Sequence, residues 1–444
     1  MRIPARVTLF DPGLGGAPTT SNPNTLGRVD SVEFVTSNEG GYESLEVRFR
    51  APTRQAARQY LTRLMANVHV DGRAGRRCWE GFVQEVAVTI DGMTTTRSMV
   101  DLANMIVVRY KDANGAQASA SALSNAASIA RYGTKCRLLN YSTTTPAAAS
   151  NRAATVLAQS ATYSEKRTRT SGSGAPDVGF AVVLICRGWW DTLGWLLTSN
   201  ASTASVATST QALNLITAYN AINPFFASST ARIVATGLND TSVIEDDSTY
   251  AEAIATKLAS GTSAQQRVVY GCYENRQITI RPWAKANPTT YAYQQRAGDP
   301  TIRDRYGNVV DPWDVRPDAM VLLDGADAQY IRRVRVKLSR DEQTVELEAD
   351  ETEGVEALLT KPAGAGPSGT SARQAAIERT VHRQAQTRFS GTNGKVDLGG
   401  GRIATGGGSI LTGGGTITYP TGGGTGVTGT GTTGRLTKWS NGPS

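Results

Sequence analysis

The chain has 444 residues, with 46 Lys and Arg against 38 Asp and Glu, two His, four Cys and 39% apolar residues. That length holds several domains and a substantial core, and 19% charged residues beside that apolar content exclude wholesale disorder. No apolar run reaches the length of a membrane helix, and the longest, 178–186, suits a strand.

The net charge of +8 comes from 37 Arg and 9 Lys spread along the chain, so it marks no nucleic-acid stripe. Asp11 and Pro12 interrupt the N-terminus before an apolar stretch develops, so no secretory leader is expected. Cys78, Cys136, Cys186 and Cys272 form no C-x-x-C, and their expected role is small apolar packing in a reducing compartment.

Taken in order, Val32 and Phe34 alternate on one strand, and Leu45, Val47 and Phe49 on the next, with Gly40 and Gly41 in the loop between them. Pro52 then precedes Ala57, Tyr60, Leu61, Leu64 and Met65 at helical spacing, which predicts an amphipathic helix. Strands follow over 78–90 and 105–110, the first carrying Trp79, Phe82, Val86 and Val88.

Residues 116–160 are rich in Ala and Ser and predict two helices. One has the stripe Leu123, Ala126, Ala127 and Ala130 ending at Gly133, and the other opens at Pro146. Residues 179–197 predict a buried strand through Trp189, Trp190 and Trp195. Two more helices follow, the second with the capping box Thr249-x-x-Glu252. Residues 268–280 predict a hairpin turning at Glu274, Asn275 and Arg276. In 333–338, Arg333, Arg335 and Lys337 alternate with Val334, Val336 and Leu338, and in 345–348 Glu346 and Glu348 alternate with Val345 and Leu347. A hairpin with a basic face opposite an acidic one is expected there.

Residues 362–369 read as a linker, and a thinly apolar helix is expected from Ser371 to about Phe389, with Ile377 and Val381 on its stripe. From Gly391 onward 31 of 54 residues are Gly or Thr, too little to bury a core without other chains. The expected architecture is mainly β with helical insertions, in two barrel-like β-domains. The first spans 1–112, a helical connecting region 113–178, the second 179–362 with an insertion near 205–262, then a linker and helix over 363–390 and a Gly/Thr-rich extension over 391–444.

Catalytic chemistry finds little footing. His69 lies in a strand-like run and His382 on the thin helix, no phosphate-cradle, zinc-protease or calcium-loop motif occurs, and no cofactor or metal is implied. Gly424-x-Gly426-x-x-Gly429 copies the dinucleotide pattern inside a Gly/Thr repeat, with neither the strand nor the helix that the pattern needs. Asp246 with Asp247, and Asp324 with Asp327, are weak carboxylate pairs better read as helix-start and loop residues. Trp79, Trp189, Trp190, Trp195 and Trp313 are expected in the core or at subunit interfaces. The alternative for Trp189, Trp190 and Trp195 is a sugar platform.

Several segments together resemble bacteriophage tail-tip and baseplate hub proteins. Cys78-Trp79-Glu80-Gly81, followed by Asn104-x-x-Val107-Val108-x-Tyr110, is similar to their first β-domain, and Ser128-Ile129-Ala130-Arg131-Tyr132-Gly133 to the helix end after it. Gly188-Trp189-Trp190-Asp191-Thr192-Leu193 resembles the Gly-Trp/Tyr-x-Thr-Leu element of minor tail proteins. Val315-Arg316-Pro317 resembles the turn before their last hairpin, although Asp318 stands where Gly is usual. Gly434-Arg435-Leu436-Thr437-Lys438-Trp439 is similar to segments of phage fibre proteins, which implies distal docking through Arg435, Leu436 and Trp439.

The resemblance covers about 30–350 and implies a non-enzymatic virion protein assembled in the host cytoplasm. It implies three chains forming a ring that joins the tail tube to a fibre or spike, with DNA only as cargo in the channel. The alternative is a receptor- or carbohydrate-binding tail protein, and a tail-associated hydrolase ranks behind both for want of a nucleophile motif and of His.

Overall fold

Strands dominate because β-branched and aromatic residues alternate with polar ones through most of the chain. The computed structural model describes residues 5–350 except 14–17, 73–74, 170–179, 199–205, 238, 241–247, 261–267, 283–289, 295–300, 305, 311–314, 318, 324–326 and 340–342, and beyond them four short strands within 388–411. The protein is mainly β with helical insertions, as expected. It divides into two compact units, Met1–Ala284 with Arg335–Gln343, and Lys285–Val334 with Thr344–Ser444.

The first unit opens with β1 (Arg6–Leu9), β2 (Asn24–Thr25), β3 (Val29–Ser37) and β4 (Glu39–Ala51). β3 and β4 pair antiparallel with Val32 opposite Val47 and Phe34 opposite Leu45, which sends the alternating apolar residues to one buried face. Helix α1 (Arg54–Tyr60) is capped by Thr53, whose hydroxyl accepts the Ala56 N–H at 3.1 Å. It is shorter than its apolar spacing predicts. Turns rather than helix carry Leu64 and Met65 into the core, and Met65 adopts a positive φ of 67°.

Strands β5 (Asn67–Asp71), β6 (Arg77–Ile90) and β7 (Met93–Ser98) continue the sheet antiparallel, with β1 against β5. A separate three-stranded sheet holds β8 (Met105–Lys111), β9 (Gln117–Ser124) and, after α2 (Ala126–Tyr132), β10 (Cys136–Thr143) parallel to β8. Helix α3 (Pro146–Ser160) covers it, packing Ala149 and Ala153 on Ile106, Val108 and Tyr110.

Two expectations fail in this segment. Leu123 belongs to a strand rather than a helical stripe, and β10 occupies what read as helical connection. Ala favours helix locally, so pairing of β9 with β8 overrides that preference, and the Asn125 cap, accepting the Ser128 N–H at 3.0 Å, sets where α2 begins.

After β11 (Ser164–Arg169), which pairs with β7, β12 (Phe180–Gly188) lies between β4 and β6. Val182 faces Phe49 on one side and Val88 on the other, and Leu184 faces Val47 and Val86. This strand, expected to begin a second domain near 179, is therefore central to the first sheet. A strand apolar on both faces shows that it is buried but not which strands flank it. Trp189–Trp195 forms a 3-10 helix where more strand was expected.

The insertion carries β13 (Val206–Ala207), α4 (Thr208–Ile222), β14 (Asn239–Asp240) and α5 (Tyr250–Ser260). The capping box forms as expected, with the Glu252 N–H on the Thr249 hydroxyl at 3.2 Å and the Thr249 N–H on the Glu252 carboxylate at 2.9 Å. β15 (Val268–Tyr273) and β16 (Gln277–Pro282) make the expected hairpin, and β15 also runs parallel to the start of β4.

In the second unit, β17 (Thr290–Gln294) pairs antiparallel with β18 (Thr301–Arg303) and parallel with β20 (Met320–Leu323). β19 (Val309–Val310) pairs with β18, and β21 (Asp327–Ser339) with β20. From Arg335 onward β21 belongs to the first unit, where the Arg335 Nε donates to Glu33 of β3 at 2.9 Å. Val334, Val336 and Leu338 are buried and Arg335 and Lys337 exposed, as the alternation requires, and Val345 and Leu347 of β22 (Gln343–Asp350) are buried.

Strands β23 (Arg388–Ser390) and β24 (Asp397–Gly399) pair, as do β25 (Arg402–Thr405) and β26 (Gly408–Leu411). β23 thus stands where a helix was expected to reach Phe389. The linker 362–369, the body of that helix, His382, Asp246, Asp247, Asp324, Trp313, Arg435, Leu436 and Trp439 lie outside the described residues.

Candidate functional site

The motifs that drew attention in the sequence meet at one joint of the first unit. Gly188 at the end of β12 pairs with Gly81 of β6, which brings Trp79 beside the Trp189–Trp195 turn. A Cβ on Gly188 would run into the Tyr42 carbonyl, and one on Gly81 into the Arg187 carbonyl and the Trp79 ring. The two glycines therefore permit a backbone approach that no side chain would allow.

Aromatic rings fill the space so made. Trp189 packs on Phe82 at 5.2 Å and Phe225 at 5.6 Å, and Trp195 meets the same two rings edge-on at 5.5 and 5.7 Å. Such pairs add about 0.5 to 1.5 kcal/mol each beyond area burial. Trp79 is 0% exposed, Trp189 1% and Trp195 4%. Neither the Trp79 nor the Trp189 indole N–H has an acceptor, a cost of about 1 to 3 kcal/mol apiece that ring packing must outweigh. Trp190 is half-buried, 5.6 Å from Tyr270 and against Gly40.

A buried hydrogen-bond network ties the joint to its neighbours. The Tyr219 hydroxyl donates to the Thr192 carbonyl at 2.8 Å and accepts from Asn223 Nδ2 at 3.2 Å. Asn223 also bonds both backbone groups of Thr134, at 2.8 and 2.9 Å, and Asn104 takes the Lys135 N–H at 2.7 Å while donating to the Gly133 carbonyl at 2.8 Å. Burial drives the Tyr219 phenol and the Cys186 thiol well above their ordinary values, so both stay neutral. Burial also pulls the Lys135 ammonium down to about 8, and its Nζ donates to the Met99 and Val100 carbonyls at 2.9 and 2.8 Å.

A second cluster holds the charges. Arg77 bonds Asp71 at 2.6 Å and Glu80 at 3.1 Å, and His69 Nε2 lies 3.6 Å from Glu80 and 3.0 Å from Asn67 Nδ2. Glu80 also accepts the Asn275 N–H at 2.7 Å, pinning a turn in which Asn275 and Arg276 hold φ of 58° and 57°. Such left-handed non-glycine pairs need outside anchors of this kind. His69 is buried beneath Phe10 at 4.5 Å, with Asn67 and Glu80 as its polar neighbours.

The sequence singled out Trp79, Trp189 and Trp195, carried Glu80 and Asn104 only as members of resembling segments without a role, and gave no sign of Asn223 or Lys135. Nothing in the sequence set the Glu80 carboxylate apart, because the same strand also carries Arg77, Gln84 and Glu85. The joint offers architecture rather than reactivity: with Trp189 and Trp195 sealed, the three tryptophans make no sugar-stacking platform. Among the described residues no cluster of three or more His, Cys, Asp or Glu is placed to hold a metal, and no helix is long and apolar enough to cross a membrane.

No known sequence family and no curated protein matches the chain. Its fold is similar to solved phage tail proteins. A tail protein from Neisseria meningitidis MC58 is 10% identical, with 78% of this chain and 97% of that one covered and a TM-score of 0.37. The 43 kDa tail protein of prophage MuSo2 from Shewanella oneidensis is 8% identical, with coverage of 78% and 97% and a TM-score of 0.38. Prophage tail protein gp18 from Listeria monocytogenes is 10% identical, with coverage of 80% and 97% and a TM-score of 0.29. Scores this low assign no function by themselves.

Proposed function

We propose that the chain is a structural protein of a bacteriophage tail tip, a hub that joins the tail tube to a distal fibre or spike around the DNA exit channel. The observation that carries this reading is the joint. The segments that resemble tail-hub proteins, Cys78–Gly81 and Gly188–Trp195, meet there, and their Trp79, Trp189 and Trp195 serve as buried packing. Their service is to fix the sheet against its insertion, as a load-transmitting subunit requires.

In this reading three copies form the ring, the protein is not an enzyme, and the Gly/Thr-rich extension engages the distal partner through Arg435, Leu436 and Trp439. Antibody raised to the folded part should decorate the distal end of tails in electron micrographs of virions. Decoration along the whole tail, on the capsid or nowhere on the particle overturns the reading. Removing 391–444 should leave the rest folded and abolish attachment of the fibre or spike.

A further inference from the structure

A cleft of about 610 Å³ lies between the β2 segment and α1 in the first unit. Arg28, Arg50 and Arg63 stand in its wall, and none of the described residues lining it is acidic. Two of the three guanidiniums are engaged by acids outside the wall. Arg63 donates to the Asp11 carboxylate, which also accepts from Asn22 Nδ2 at 2.6 Å, and the Arg50 Nε lies 3.5 Å from Asp30. Arg28 is exposed and has no acid of its own among the described residues. The cleft therefore carries a positive charge that nothing described beside it offsets.

The rest of the described lining is apolar or neutral. Leu26 and Phe49 are 7% and 3% exposed, and the Tyr60 ring meets Phe49 edge-on at 4.8 Å, so packing fixes an apolar floor. The Tyr60 hydroxyl accepts from Asn24 Nδ2 at 3.4 Å, which leaves its own proton to donate. A guanidinium pairs with a carboxylate through two parallel N–H groups, and a preformed apolar floor beside it takes a ring or an aliphatic chain.

We infer that this cleft binds an acidic peptide segment, with an Asp or Glu carboxylate on Arg28 and the neighbouring apolar side chain on Leu26, Phe49 and Tyr60. Charge complementarity selects the guest, because a wall of arginines without an acid attracts carboxylates and repels basic chains. The inference goes beyond the hub reading and does not depend on it, so the failure of one leaves the other standing.

The test uses the full chain with the peptide Glu-Phe-Glu-Phe-Glu, its Gln-Phe-Gln-Phe-Gln counterpart carrying the same dye, and benzoate as a free carboxylate. Fluorescence polarisation should show the acidic peptide binding about tenfold or more tightly than the neutral one, the advantage of a charge-assisted pair. Arg28→Glu should weaken the acidic peptide about tenfold or more and leave the neutral one unchanged. Gln59→Glu, which sets an acid in the same wall, should weaken it in the same direction. Both residues are exposed, so both variants should melt like the wild type. Equal binding of the two peptides, binding of neither, or acidic-peptide binding untouched by either variant overturns the inference. So does benzoate displacing the dye-labelled peptide as readily as unlabelled peptide does, which would make the cleft a site for free carboxylates.

Discussion

The first unit contains two cores built on opposite economies of volume. At the joint, Trp79, Trp189, Trp195, Phe82 and Phe225 fit only because Gly81 and Gly188 let backbones nearly touch, so large rings are matched by missing side chains. Under α3, Ala149 and Ala153 let a helix settle close on Ile106 and Val108, so a small surface is matched by medium residues. At Gly81 and Gly188 the joint has no room for a Cβ, whereas the Ala-lined layer tolerates loss better than gain.

That contrast ranks the substitutions. Gly188→Val should have the largest effect, because its Cβ runs into the Tyr42 backbone rather than into a side chain that can turn away. Soluble folded protein should be lost, and a variant that melts like the wild type would break the account of the joint. Trp79→Ala should cost about 3 to 5 kcal/mol in chemical denaturation. A loss under about 1 kcal/mol would show that the ring is not core.

In the other core, Ala153→Leu should cost about 1 to 3 kcal/mol by overpacking. If it stabilises the protein, α3 lies less tightly on its sheet than the geometry shows. The smallest effect is a pH dependence. Burial lowers the Lys135 ammonium from 10.5 to about 8, so the fold favours the neutral amine. Relative to Lys135→Met, the wild type should gain stability as pH rises from about 8 toward 10.5, and a difference flat across that window contradicts the burial.

Much of this was legible in the sequence for reasons that are local. Alternation placed β3, β4 and the 333–338 strand, the Thr249 and Glu252 pair placed the start of α5, and Glu274 to Arg276 placed a turn. What escaped depended on distant partners. β12 read as a strand, yet its place between β4 and β6 is set by side chains more than ninety residues away. The Ala/Ser segment misled because Ala favours helix locally, whereas pairing with β8 and packing on α3 decided for strand in β9. Of the joint, the tryptophans announced themselves, whereas Asn104, Asn223 and Lys135 look like any surface polar residues until the fold brings their backbone partners together.

The central claim is that this joint belongs to a subunit built to assemble. Its most direct test is the mass of the purified chain by light scattering across a dilution series. The account predicts a stable mass of three chains, and a monomer at every concentration, well folded by its melting curve, would contradict it.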